Sequence, residues 1–176
     1  MRFHLIDRIV EVQPGKSLQA FKNLTLGEEY LADHFPSFPV MPGVLMLQTL
    51  VEAGAWLLRL SEDYRHSVIV LREVKNIKYG TFMEPGRRMT IRVDLMERSD
   101  GSASFKGKGE MDGQSTVTAR FVLASYLLKD RNPALAESDA EIITKMRQQG
   151  RLLCGLPGGV GSRTATDRKA SHAAEG

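Results

Sequence analysis

Cysteine is almost absent from this chain: Cys154 is the only one in 176 residues. A single thiol can build neither an intrachain disulfide framework nor a cysteine-rich metal centre, and it fits a reducing, cytoplasmic setting. Charge of one sign is lacking too. The formal net charge is only +3, and part of that excess comes from Arg163, Arg168 and Lys169 near the end, so no nucleic-acid partner is expected. Nor is there a long unbroken apolar run. The most apolar stretch, Val44 to Leu58, is interrupted by Gln48, Thr49 and Glu52 and falls short of the roughly 20 residues that a membrane span needs. It reads as a buried helix. The first ten residues carry Asp7 and Arg8 and lack the apolar stretch of a secretory signal, so no export is expected, and the Asn23-Leu24-Thr25 sequon reads as chance.

With 42% hydrophobic residues, the chain can build one sizeable core, which fits one domain rather than two. Val10–Val12, a Pro14-Gly15 turn and the alternating stretch Leu18 to Leu24 predict a hairpin. A short helical turn is expected over 27–32. In His34-Phe35-Pro36-Ser37-Phe38-Pro39-Val40-Met41-Pro42-Gly43, prolines fix φ and exclude regular helix until Pro42, which suits a helix start. Ser67–Leu71 and Val74–Tyr79 predict one long strand with an irregularity near Arg72. Met89–Met96, Asp100-Gly101, Ser102–Gly109, Asp112-Gly113 and Ser115–Leu128 then read as three strands joined by two tight turns. The pattern is an α+β fold, an antiparallel sheet wrapped around one long central helix.

Ser138-Asp139-Ala140-Glu141 has the spacing of a capping box and predicts a short C-terminal helix. We expect a main domain over 1–130, a helical extension over 131–154 and a disordered tail over 155–176. The glycine-rich start of that tail lacks the spacing and the lysine of a phosphate loop.

Chemistry concentrates between His34 and Leu58. Gln48 and Glu52 are four residues apart and share one face of an otherwise apolar helix. A buried carboxylate needs a partner, a cavity or water, so Glu52 is either an acid/base group or a tie to a backbone amide or a subunit interface. The backbone N–H groups of Gly43 and Val44 lie in the first turn, where no intrahelical acceptor exists, and can hold a developing oxyanion or simply meet water. His34, in a stiff turn just before the helix, is either a base working near neutral pH or a structural or exposed side chain.

The run His34-Phe35-Pro36-x-x-Pro39-x-x-Pro42-Gly43-Val44-Leu45 is similar to the signature of bacterial 3-hydroxyacyl-acyl-carrier-protein dehydratases of the FabZ and FabA type. Asp7-Arg8-Ile9, Pro14-Gly15-Lys16, Lys22-Asn23-Leu24-Thr25 and Pro85-Gly86 also look like family positions, so the resemblance covers about the first 128 residues. It implies the hotdog fold and a homodimer or higher homo-oligomer, with His34 of one subunit facing the long helix of the other. It further implies dehydration of acyl chains on the phosphopantetheine arm of an acyl carrier protein, with no metal and no organic cofactor. By the same resemblance His34 takes the C2 proton, a helix carboxylate handles departure of the hydroxyl, and the amides of Gly43 and Val44 bind the thioester oxygen. Lys75, Lys78, Arg87 and Arg88 are candidates for a basic rim that meets an acidic carrier.

One exchange sets this sequence apart. The resemblance places Glu or Asp where Gln48 stands and commonly Gln where Glu52 stands. A glutamine amide is no acid. Three accounts follow: Glu52 serves through a water, His34 shuttles the proton alone while Gln48 holds the hydroxyl, or the site binds acyl chains without dehydrating them, as an acyl- or carrier-binding hotdog protein or a partner subunit. A thioesterase using Glu52 to activate water is a further alternative.

Overall fold

The computed structural model describes residues 4–155. The expected tail therefore lies outside the described residues, apart from Gly155, which takes a left-handed conformation (φ 66°) and caps the last helix.

Six strands are described: β1 (Arg8–Gln13), β2 (Ser17–Asn23), β3 (Val68–Tyr79), β4 (Arg88–Ser99), β5 (Ser102–Met111) and β6 (Gln114–Tyr126). They form one antiparallel sheet in the order β1-β2-β4-β5-β6-β3. The two tight turns fall where the sequence places them: Gly101 (φ 67°), Asp112 (φ 51°) and Gly113 (φ 79°) hold the positive φ that such hairpins require. The irregularity expected near Arg72 is a register shift between Leu71 and Glu73, and a second shift lies between Lys75 and Lys78, where Asn76 has φ 52°.

The long helix α1 (Gly43–Ser61) lies between β2 and β3 in the chain and packs on one face of the sheet, against β2, β4, β5, β6 and β3. It is long and apolar enough to cross a bilayer by composition, but more than half of it is buried inside the fold, as befits a core helix. Leu50, Leu57, Leu58 and Trp56 are buried against Leu18, Ala20, Ile91, Val93, Phe105 and Phe121. Each such side chain contributes about 1.5–3 kcal/mol. An apolar helix inside a curved sheet is the hotdog arrangement.

The C-terminal helix differs from its expected start and length. It is α2 (Ala136–Cys154), 19 residues, preceded by Leu135 without a side-chain cap, so Ser138 to Glu141 lie within its first turns. Asp139 turns inward instead: it is 4% exposed and accepts hydrogen bonds from the Ser67 hydroxyl, from Leu128 N at 2.9 Å and from Lys129 N at 3.0 Å. Burial works to raise its pKa, but these hydrogen bonds together hold the carboxyl below the ordinary carboxylate value. Farther along, α2 meets the end of α1. A Cβ on Gly150 would stand 2.1 Å from the Tyr64 hydroxyl and 3.3 Å from the Trp56 ring, and Arg147 pairs with Asp63 at 2.6 Å.

Two outcomes follow for α2. Gly150→Ala forces the helix off Tyr64 and lowers stability in urea denaturation by about 1–3 kcal/mol. Asp139 has its pKa depressed by folding, so its contribution is present above 3.8, its ordinary value, and disappears as pH falls through the lower folded value. Acid unfolding curves of wild type and Asp139→Asn therefore converge at the acid end and separate above it; parallel curves at every pH contradict this.

Candidate active site

His34 sits in a loop pinned at both ends. The short 3₁₀ turn Glu29–Ala32 precedes it, with Leu31 buried. After it, Phe35 and Phe38 exchange backbone hydrogen bonds, Val40 N donates to the His34 carbonyl at 3.1 Å, and Met41 N donates to the Met83 carbonyl at 2.9 Å. The peptide between His34 and Phe35 is cis.

The imidazole Nδ1 lies 3.0 Å from the Val40 carbonyl oxygen. A carbonyl can only accept, so this contact requires the proton on Nδ1 and leaves the Nε2 lone pair of the neutral ring unengaged. A ring so oriented, half-buried and stacked on Phe35 at 4.3 Å, is equipped to take a proton at Nε2.

The same loop delivers the start of α1. Pro42 caps it, and the Pro42 carbonyl accepts from Leu45 N at 2.9 Å and Met46 N at 3.1 Å. Gly43 N and Val44 N have no acceptor among the described residues, as the first amides of a helix must not unless something outside supplies one. Gly43 is needed for a second reason: a Cβ there would come within 3.0 Å of the Tyr79 ring. Val44 itself is 65% exposed.

Gln48 lies one turn beyond Val44 and is exposed. Glu52, one turn farther, turns elsewhere. Its Oε2 accepts from Leu5 N at 3.0 Å and its Oε1 from the Trp56 indole at 3.4 Å, and no contact joins it to His34 among the described residues. Desolvation by burial raises the Glu52 pKa, opposed by the Leu5 and Trp56 hydrogen bonds and by His4 and Arg59. His4 in turn accepts from the Gln149 side chain of α2 at 2.9 Å. Of the two roles open to Glu52 from sequence, the single chain gives it the tie to a backbone amide. The displaced-acid arrangement expected from the sequence sets Glu52 against the His34 of a second subunit and so involves a second copy of the chain; within one chain the carboxylate is engaged by Leu5 N and the Trp56 indole.

Beside His34 and the start of α1 lie exposed aromatic side chains that the sequence reading did not single out: Phe35, Phe38, Phe82 and Tyr79 are 52%, 46%, 59% and 51% exposed, with Phe35 stacked on His34, Tyr79 beside Gly43 and Phe38 in edge-to-face contact with Phe82 at 5.8 Å. Their signal in the sequence was weak, since the two register shifts in β3 break the alternation that would have assigned Tyr79 to a face. Of the proposed basic rim, Arg87 pairs with Asp112, Arg88 bonds Asn23 and lies over Phe21, and Lys75 pairs with Glu73. Lys78, adjacent to Tyr79, has no such partner among the described residues. No group of three or more His, Cys, Asp or Glu side chains fit to hold a metal occurs among the described residues.

Comparison with known proteins bears on the fold and the family. A solved chain of the dehydratase heterocomplex ApeI:P from Xenorhabdus doucetiae shares the fold at a TM-score of 0.61 and 14% identity, over 76% of this chain and 90% of that one. A hypothetical thioesterase from Streptococcus pneumoniae, solved with coenzyme A, shares it at 0.52 and 13%, over 67% and 84%. In sequence, the chain is 32% identical over 136 residues to the 3-hydroxyacyl-[acyl-carrier-protein] dehydratase FabZ of Janthinobacterium sp. (strain Marseille), which is 76% of this chain and 87% of that protein. It is 36% identical over 133 residues to the FabZ of Anaeromyxobacter sp. (strain Fw109-5), covering 73% and 82%. The model of the FabA-like domain matches residues 1–120, a span holding the His34 loop, all of α1 and most of the sheet: the chain belongs to the FabA-like family.

Proposed function

We propose that the protein dehydrates 3-hydroxyacyl thioesters, presented on the phosphopantetheine arm of an acyl carrier protein, to trans-2-enoyl thioesters, in fatty-acid synthesis or a related acyl pathway of the cytoplasm. Membership of the family and the named activity of the FabZ relatives support this reading. The observation that carries it is local: an imidazole with its Nδ1 proton committed to Val40 stands on the same stiff loop that presents two unsatisfied amides at Gly43 and Val44.

In this reading the thioester oxygen accepts from those amides, which stabilise the negative charge that develops there. His34 Nε2 takes the C2 proton. The C3–O bond then breaks, and the departing hydroxide takes the proton back from the imidazolium, so that water leaves and the neutral ring is restored. Gln48 cannot donate as an acid, but its amide N–H can hold the hydroxyl in line. Glu52 acts at a distance, by holding α1 to the N-terminal segment.

A second copy of the chain is the natural cover for the site. β3 is an edge strand with exposed Val70 and Leu71, and unpaired edges and clustered apolar surface of this kind favour association. The homodimer would set His34 of one subunit against the Gln48 face of the other. The carrier would approach the rim at Lys78, Lys75, Arg87 and Arg88.

Purified protein is to be mixed with 3-hydroxyacyl thioesters while enoyl product and free thiol are followed separately. Enoyl product falls by ~10²–10⁴-fold in His34→Ala; release of free thiol without enoyl product makes the protein a hydrolase instead. Glu52→Gln keeps dehydration within about threefold of wild type, and a loss as deep as that of His34→Ala would make Glu52 the acid after all. Glu52→Ala leaves the Leu5 amide and Trp56 indole unpaired and costs about 1–3 kcal/mol of stability. Because burial raises the Glu52 pKa above its ordinary 4.5, its ionisation weakens the fold as pH rises through that raised value. Denaturation across pH therefore shifts in favour of Glu52→Gln above 4.5.

A further inference from the structure

Alternation along β2 directs Leu18, Ala20 and Lys22 to the same, core-facing side of the sheet. A lysine there is anomalous: Lys22 is 4% exposed, and a buried ammonium persists only with partners. It has two. Nζ lies 2.5 Å from Glu28 Oε1 and 3.5 Å from Asp7 Oδ1. Asp7 belongs to the approach to β1 and also accepts from Asn23 N at 2.5 Å, which keeps it with the sheet. Glu28 belongs to the other side, since its carbonyl accepts from Leu31 N at 3.0 Å and it directly precedes the 3₁₀ turn that leads to His34.

We infer that Lys22 is a positioning residue for His34: its ammonium, fixed at the end of β2 against Asp7, draws Glu28 down and so clamps the upstream end of the catalytic loop. Val40 and Met41 clamp the downstream end. With only one end held, the loop swings about Val40 and carries the imidazole off its line to C2. The geometry makes the two carboxylates unequal. Glu28 transmits position to the loop, whereas Asp7 only seats the lysine.

The inference rests on the dehydratase reading, and the experiment separates the two. Full-length wild type, Glu28→Gln, Lys22→Met, Lys22→Arg and Asp7→Asn are compared by kcat and KM on a 3-hydroxyacyl pantetheine thioester, and by amide hydrogen exchange at Phe38 and Val40. Glu28→Gln lowers kcat by ~10- to 100-fold with KM changed less than about threefold, as expected for a misplaced reacting group, and it speeds exchange at both amides. Lys22→Arg restores most of the kcat lost in Lys22→Met. Asp7→Asn keeps kcat within about threefold of wild type even where its melting temperature falls as far as that of Glu28→Gln. Equal kcat losses in Asp7→Asn and Glu28→Gln, or a wild-type kcat in Glu28→Gln, overturn the positioning role. If the wild-type protein forms no enoyl product, the dehydratase reading is what fails, and unchanged exchange at Phe38 and Val40 in Glu28→Gln still overturns the clamp.

Discussion

Burial of α1 is the constraint on which everything else in this protein depends. A 19-residue helix that is apolar on almost every side is kept from water only by a sheet that bends around it, and five of the six described strands contact it. Its polar residues must each then be accounted for. Thr49 returns its hydroxyl to the Leu45 carbonyl of its own helix. Glu52 faces the seam where the N-terminal segment crosses, and Gln48 lies on the stretch left uncovered. Val44, at the helix start, lies on that stretch too and is exposed.

Rigidity in the loop before α1 comes from several modest restraints rather than one strong contact. Prolines limit φ at Pro36, Pro39 and Pro42, a reciprocal pair of backbone hydrogen bonds between Phe35 and Phe38 closes the turn, and the ring of His34 is oriented by a carbonyl of the same loop. Orientation of that kind settles which nitrogen is free before any substrate arrives. Preorganised donors and a preset tautomer are worth more at a reacting centre than the same groups left to find their places.

The C-terminal helix lies beyond the residues that the family model matches. It is fastened at both ends, by Asp139 at its start and by Gly150 against Tyr64 and Trp56 near its end. Through Gln149 and His4 it abuts the segment that occupies Glu52. Glu52, through Leu5 N, and Gln149, through His4, therefore both meet the segment that precedes β1.

Sequence by itself determined the elements and much of their order. Hydrophobic period, proline and glycine punctuation and the two Asp-Gly turns are local signals, read by each residue from its neighbours, and the strands, α1 and the His34 to Val44 segment lie where those signals put them. Tertiary structure alone decided the direction of Glu52, the inward turn of Asp139 and the burial of Lys22. Each of those depends on which distant backbone amide or carboxylate arrives beside a polar group, and partners 47, 11 and 15 residues away leave no trace in local periodicity. The same reason hid the exposed aromatic residues, which come from the loop before α1, from the far end of β3 and from the segment that follows it.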